Sequence, residues 1–194
     1  MSGPLLRRTS KRARDARATV PDATIGDVKK STCIQALFTR SNAVGKTVEQ
    51  LVRGARTSVD AALYRLNHPR LARALHGAAQ RGVKVRVILD RKKFELTPAT
   101  RELVAKFEIP YRLMSGRRGR YAKLHHKMAI LDGLTALTGS YNWTLESEEN
   151  NYENLVIVRD PQQVKEFVRE FEALWSMAKE RQAARRQSPR RRKR

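Results

Sequence analysis

Residues 125–142 read HHKMAILDGLTALTGSYN, and the rest of the architecture can be placed around them. Two short apolar runs, 128–131 and 134–137, flank an Asp-Gly pair, which predicts a β-hairpin. Side chains alternate between the two faces of a strand, so His125 and Lys127 point one way and His126 the other. The second strand ends at Gly139-Ser140, so Ser140 and Asn142 are expected to return near His125.

The four side chains gathered in this way suit chemistry at phosphorus. A neutral imidazole such as His125 can attack phosphorus or transfer a proton. Lys127, Ser140 and Asn142 can donate hydrogen bonds to oxygens that gain charge in the transition state. No carboxylate cluster and no Cys/His set with metal-ligand spacing accompanies them. We therefore expect metal-free chemistry without a cofactor.

The pattern His-x-Lys-x4-Asp-x6-Gly-Ser-x-Asn resembles the signature of the phospholipase D superfamily. The segments 141–144 and 153–155, YNWT and ENL, are most similar to its single-motif members, the small bacterial endonucleases and the mitochondrial Zucchini-type proteins. The resemblance extends over roughly residues 34–175. It implies that His125 attacks phosphorus to give a phosphohistidine that water resolves. It also implies that Glu153 holds the other ring nitrogen of His125, as in other pairs of a base and an orienting carboxylate.

Asp132 belongs to the same signature, and two roles remain open for it. It could take part directly in catalysis, or it could be present because an Asp-Gly turn favours aspartate for backbone reasons. His126 fits no position of the signature and is expected to be a structural or rim residue.

Only one His-x-Lys motif is present. The superfamily reaction uses two histidines, one as nucleophile and one as general acid to the leaving oxygen. The resemblance therefore predicts a homodimer in which the two His125 side chains face each other across a two-fold axis. Two close imidazoles titrate as a coupled pair, so a bell-shaped pH–rate profile is expected.

The charge of the chain predicts a polyanionic partner. There are 41 Lys+Arg against 19 Asp+Glu, a formal net charge of +22, which favours nucleic acid or anionic lipid. Arg117, Arg118 and Arg120 form a basic loop just before the motif and are predicted to bind substrate phosphates. Residues 1–30 are interpreted as a basic disordered arm, 31–178 as a phospholipase D-like nuclease domain, and 179–194 as a basic tail.

No run of 18 apolar residues is present, so no transmembrane segment is predicted. Leu5-Leu6 is followed at once by Arg7-Arg8, and without an apolar region no signal peptide is expected. The prediction is a cytoplasmic protein, with a nuclear or nucleoid-associated location as the alternative. Cys33 is the sole cysteine, which excludes an internal disulfide.

Hydrophobic periodicity predicts an α/β fold, a mixed β-sheet flanked by helices on both faces. Besides the hairpin, predicted strands cover residues 32–38, 58–64, 83–89, 111–114 and 154–159. Predicted helices cover 43–55, 69–81 and 98–106, and a further amphipathic helix begins at Asp160-Pro161. Strand, helix and strand over 58–89 predict a right-handed parallel crossover.

Three functions compete at this point. The leading hypothesis is a non-specific endonuclease that binds DNA or RNA mainly through phosphates. The second is a phospholipase D-type hydrolase of an anionic phospholipid such as cardiolipin, which is also a phosphodiester. The third is a non-catalytic nucleic-acid-binding protein.

Overall fold

In a computed structural model of the chain, the structure describes residues 33–119 and 121–187. The strands are β1 Ile34–Phe38, β2 Ser58–Leu63, β3 Lys84–Asp90, β4 Tyr111–Met114, β5 Lys127–Leu131, β6 Thr135–Gly139 and β7 Asn154–Val158. The helices are α1 Val44–Gly54, α2 Pro69–Gln80, α3 Arg91–Leu96, α4 Pro98–Lys106, α5 Leu145–Glu149 and α6 Pro161–Gln187. The predicted arm, residues 1–30, and the end of the basic tail, 188–194, lie outside the described residues.

The seven strands form one mixed sheet in the order β1-β7-β6-β5-β2-β3-β4. β2, β3 and β4 run parallel, as the predicted crossover requires, and every other neighbouring pair is antiparallel. β5 and β6 form the predicted hairpin. Asp132 and Gly133 both have positive φ, 55° and 66°, as a type I′ turn demands. The Leu134 N–H donates to the Leu131 carbonyl at 2.9 Å.

Alternating side chains place a hydrophobic core on each face of the sheet. On one face, Ala129 and Leu131 of β5 pack with apolar residues of α1, α2 and α4. On the other face, Met128 and Ile130 pack with the apolar stripe of α6, which includes Phe171. The α/β prediction is thus confirmed, with helices on both faces.

Most of the polar residues singled out by the sequence lie near one edge of the sheet, where several strands begin or end. β2 and β3 end there at Leu63 and Asp90, while β5 begins there at Lys127, because Leu63 pairs with Lys127. β6 ends at the same edge, where Gly139 pairs with Leu155 near the start of β7. Side chains at the carboxyl ends of neighbouring parallel strands meet at one edge, which is where open α/β sheets bind ligands.

Candidate active site

His125 and Lys127 lie side by side at this edge, as strand alternation predicts. The Lys127 ammonium is 3.2 Å from Nε2 of His125 and donates to the His125 carbonyl at 2.9 Å. A protonated lysine can only donate, so Nε2 must accept and a neutral imidazole then carries its proton on Nδ1. The ring of His125 also meets that of Tyr64 edge-on, with centroids 4.5 Å apart. This arrangement leaves an unprotonated nitrogen facing the ammonium.

The surroundings of His125 favour its neutral form. Partial burial of the ring lowers the pKa of His125, and the Lys127 and Lys123 ammonium groups lower it further. Burial also lowers the pKa of Lys127, while the charge of Glu153 raises it and that of Lys123 lowers it. At neutral pH the imidazole is therefore available as a nucleophile or base.

Ser140 is held by the first residue of β7. Its Oγ accepts the Asn154 N–H at 3.0 Å, and its own N–H donates to Asn154 Oδ1 at 3.2 Å. The hydroxyl keeps its hydrogen for another acceptor. Gly139 allows this approach, because a Cβ there would lie 2.4 Å from the Asn154 carbonyl oxygen and its φ of +148° suits glycine.

Asn142 and Glu153 are less simple than the signature implies. Asn142 Oδ1 is buried without a hydrogen-bond partner. The Glu153 carboxylate accepts from Ser147 Oγ at 3.0 Å and from Asn151 Nδ2 at 3.3 Å. In the described part of the chain it makes no hydrogen bond to His125. Its charge acts on Lys127 instead, so the structure does not contain the expected contact between Glu153 and His125.

A cavity of about 780 Å³ opens beside His125. Arg117 and Arg118 line it and are exposed, whereas Arg120 lies outside the described residues. Gly116 allows this loop to pack closely against the backbone before His125, because a Cβ at position 116 would lie 2.5 Å from the backbone nitrogen of Lys123. The remaining lining is Met114, Ser115, Gly116, Lys123, Leu124, His126, Glu170, Leu174, Met177 and Arg181. The predicted basic loop is therefore next to the predicted nucleophile.

Comparison with known proteins identifies the family of the chain. A family model described as "Cardiolipin synthase, PLD-like domain" matches residues 48–175. The chain belongs to the phospholipase D-like family. Its relatives include the mitochondrial cardiolipin hydrolase of Homo sapiens, 34% identical over 161 residues, or 83% of this chain and 62% of that protein. The Mus musculus protein of the same name is 38% identical over 121 residues, 62% of this chain and 53% of its own length.

Two solved structures have the same fold. Nuc from Salmonella typhimurium, described as a phospholipase D family member, superposes with a TM-score of 0.65 and 26% identity, covering 74% of this chain and 93% of Nuc. NucT from Helicobacter pylori gives a TM-score of 0.66 at 24% identity, covering 74% of this chain and 96% of NucT. The chain spans about three fifths of the human relative's length and about half of the mouse relative's.

Asp132 of the phospholipase D-like signature lies at the other end of the hairpin. β5 lies between Asp132 and His125, and a strand of seven residues is roughly 20 Å long. Asp132 is therefore far from the His125 side chain. The Asp132 carboxylate accepts the N–H groups of Arg56, Thr57 and Ser58 at 2.7 to 3.1 Å. Burial acts to raise the pKa of Asp132, but these hydrogen bonds outweigh it and hold the pKa below its usual value. Of the two roles left open, the structure supports the structural one, and the inclusion of Asp132 among the catalytic residues is corrected.

An Asp132→Asn substitution tests this assignment. Asparagine tolerates the positive φ but removes the charge that the three N–H groups share. We expect the free energy of unfolding to fall by about 1–2 kcal/mol, while kcat per folded molecule changes less than threefold. Urea unfolding and steady-state kinetics measure the two quantities. A loss of kcat beyond tenfold at full folding would return Asp132 to the catalytic group.

Two further side chains have identified partners in the structure. Oε2 of Glu148 accepts the Tyr141 hydroxyl and the Gly45 N–H, both at 2.8 Å. It therefore fastens α5 to the start of α1. His126 faces away from His125, as predicted, and its Nε2 lies 3.5 Å from Glu170 of α6.

The side chains described for residues 33–119 and 121–183 contain no group of three His, Cys, Asp or Glu that could hold a metal ion. None of the described helices is long and apolar enough to cross a bilayer. Sequence reasoning missed Tyr64 and Lys123 beside His125. Tyr64 directly follows β2 at the polar edge, and that position is the signal that could have identified it.

Proposed function

We propose that this phospholipase D-like chain is a metal-independent phosphodiesterase that acts as a non-specific endonuclease. The observation that carries the proposal is the position of Nε2 of His125, 3.2 Å from the Lys127 ammonium, at a cavity lined by Arg117 and Arg118. A nucleophile beside a fixed cation, within a basic groove, is the arrangement that attack on a phosphodiester needs.

The proposed reaction has two displacements. Nε2 of His125 attacks phosphorus, the bond from phosphorus to the leaving oxygen breaks, and the leaving oxygen takes a proton from a second imidazole. Water then attacks the phosphohistidine, giving its proton to the now neutral second imidazole and releasing Nε2. Lys127 and the Ser140 hydroxyl donate to the non-bridging oxygens as charge develops on them.

The charge distribution supports nucleic acid as the substrate. Arg117 and Arg118 are exposed on the cavity, and the whole chain has a net charge of +22. Contacts between basic side chains and phosphates carry no sequence information, so cleavage should be non-specific. Binding should weaken steeply as salt rises, because each neutralised phosphate releases counterions.

A lipid phosphodiester is the second candidate, and one feature of the cavity favours it. Met114, Leu124, Leu174 and Met177 also line the cavity, and the Met177 side chain is exposed. Acyl chains could contact this lining while His125 meets the headgroup phosphate. The curated relatives named above are called cardiolipin hydrolases.

A substrate panel in excess EDTA separates these candidates. The panel consists of single- and double-stranded DNA and RNA, and of vesicles containing cardiolipin. We expect the wild-type protein to cleave nucleic acid with EDTA present and His125→Ala to be inactive. Turnover of cardiolipin without nucleic-acid cleavage would favour the lipid candidate. Tight binding of nucleic acid without cleavage of any substrate would favour the non-catalytic binding protein.

We also propose that the active form is a homodimer, because the chain supplies one His-x-Lys motif and the reaction requires a second imidazole. Specific activity should then fall on dilution in parallel with the dimer fraction measured by sedimentation velocity. At concentrations where the dimer is complete, specific activity should be constant. A monomer with full activity at every concentration would contradict the second-imidazole requirement.

A further inference from the structure

Three lysine ammonium groups surround the ring of Tyr64. The distances from the ring centroid are 5.0 Å for Lys127, 5.5 Å for Lys93 and 5.7 Å for Lys123. Ring faces attract cations at such distances, which offsets part of the repulsion among the three charges. In the described part of the chain, none of the three forms an ion pair with a carboxylate. The cluster is therefore a concentration of positive charge in which no ammonium group is in direct contact with a carboxylate.

A buried carboxylate fixes the segments that carry this charge. Asp90, only 1% exposed, ends β3 and accepts the Lys93 N–H through Oδ1 at 2.9 Å. Its Oδ2 accepts the Leu124 N–H, also at 2.9 Å. Asp90 thus ties the start of α3 to the segment between Lys123 and His125. The fold therefore fixes the backbone at Lys93 and next to Lys123, from which the two side chains extend to Tyr64.

The three lysines differ in their relation to His125. Lys127 and Lys123 both lower the pKa of His125, so their charges act directly on the imidazole. Lys93 does not line the cavity beside His125. Lys123 is exposed and lies on the cavity wall. The cluster therefore places positive charge on the cavity wall, at Lys123, and next to the cavity, at Lys93.

We infer that Lys93, Lys123 and the Tyr64 ring form a second anion subsite, which binds the phosphate next to the one that His125 attacks. The preferred substrate class is then a polymer of phosphodiesters with neighbouring phosphates, and not an isolated phosphodiester. This inference rests on the proposed phosphodiesterase function and adds a substrate requirement to it. Ammonium groups suit this role because they bind phosphate as point charges without demanding one orientation.

Kinetics on two substrates test the subsite. Bis(p-nitrophenyl) phosphate offers one phosphodiester, and a short fluorogenic single-stranded oligonucleotide offers several. For the Lys93→Gln/Lys123→Gln variant we expect kcat/KM on the oligonucleotide to fall at least tenfold, mainly through KM. That loss should be at least five times larger than the loss on bis(p-nitrophenyl) phosphate. Lys106→Gln is the matched control, because Lys106 also lies on an aromatic ring, that of Phe107 at 5.7 Å, but at the end of α4.

The outcomes distinguish this inference from the function on which it rests. Wild-type hydrolysis of both substrates, with equal losses in the double variant, would overturn the second subsite alone. Wild-type protein that hydrolyses neither substrate would overturn the proposed function and the subsite with it. A loss on the oligonucleotide that Lys106→Gln reproduces would also overturn the subsite, since any surface lysine would then serve.

Binding supplies a second measurement that does not depend on turnover. In the His125→Ala background, the slope of log K against log salt for a single-stranded oligonucleotide should become shallower by roughly 0.7 for each lysine removed. An unchanged slope would overturn the inference. Vesicles containing cardiolipin, with two phosphates, or phosphatidylglycerol, with one, extend the kinetic comparison to lipids. A loss confined to cardiolipin would support the subsite with a lipid as its source of paired phosphates, and equal losses on both lipids would count against it.

Discussion

Replacing His125 by alanine is expected to lower kcat on bis(p-nitrophenyl) phosphate by at least about 10³-fold, because it removes the proposed nucleophile. Nε2 of His125 lies 3.2 Å from the Lys127 ammonium, and burial together with the neighbouring ammonium groups lowers the pKa of His125, which favours the neutral imidazole. Since the side chain is exposed at the cavity, the substitution leaves no buried hole. Steady-state kinetics in excess EDTA, with circular dichroism to confirm folding, measure the effect.

His126→Ala is the matched control for this prediction. His126 is the adjacent imidazole and also lines the cavity, but it faces α6 and lies 3.5 Å from Glu170. We expect its kcat to stay within about threefold of the wild type, because a group that does not meet the reacting atoms contributes only through packing and local charge. Equal losses in the two variants, or more than a tenth of wild-type activity in His125→Ala, would contradict the assignment of the nucleophile.

The largest expected effect on stability comes from Arg86. Its guanidinium donates to Asp60 at 2.6 and 2.8 Å and to Glu172 of α6 at 2.6 and 3.1 Å. Asp60 is 8% exposed, and its hydrogen bonds, followed by those of Glu172, raise the pKa of Arg86 above its usual value. Arg86→Met would leave Asp60 buried without a counter-charge, so we expect the free energy of unfolding to fall by about 3 kcal/mol. Urea unfolding at pH 7 measures this loss.

Two further variants make the Arg86 prediction specific. Arg169→Met breaks the ion pair between Arg169 and Glu166, two side chains that are each 61% exposed. This substitution should lower the free energy of unfolding by less than about 1 kcal/mol. Adding Asp60→Leu to Arg86→Met removes the stranded carboxylate and should recover part of the stability. A cost for Arg86→Met no greater than that for Arg169→Met would mean that the buried pair does not stabilise the packing of α6 on the sheet.

The sequence alone predicted the elements that local periodicity determines. The Asp-Gly turn with flanking apolar runs predicted the hairpin, and strand alternation predicted that His125 and Lys127 share a face while His126 does not. Residues 69–81 and 83–89 predicted the parallel crossover, observed as α2 between β2 and β3. These predictions succeed because side chains repeat every two residues in a strand and every 3.6 residues in a helix. Both patterns can be recognised from residues that are close together in the sequence.

Contacts between distant segments could not be predicted in this way. Tyr64, Lys93 and Lys123 meet only because β5 pairs with β2 and β2 with β3. Glu148 looks like an ordinary loop charge until α5 brings it to Gly45. α3 and α5, with 6 and 5 residues, are too short for a helical period to be recognised. The role of Asp132 required the structure because both its catalytic and its structural interpretations fit the same spacing.

The most direct test of the central claim is to trap the covalent intermediate. Wild-type protein is mixed with an oligonucleotide substrate in excess EDTA and quenched in denaturant under conditions that preserve phosphohistidine, and the peptides are then analysed by mass spectrometry. The account predicts a phosphoryl-linked adduct on His125 that is absent from the His125→Ala variant. An adduct on any other residue, or one that persists in His125→Ala, would contradict it.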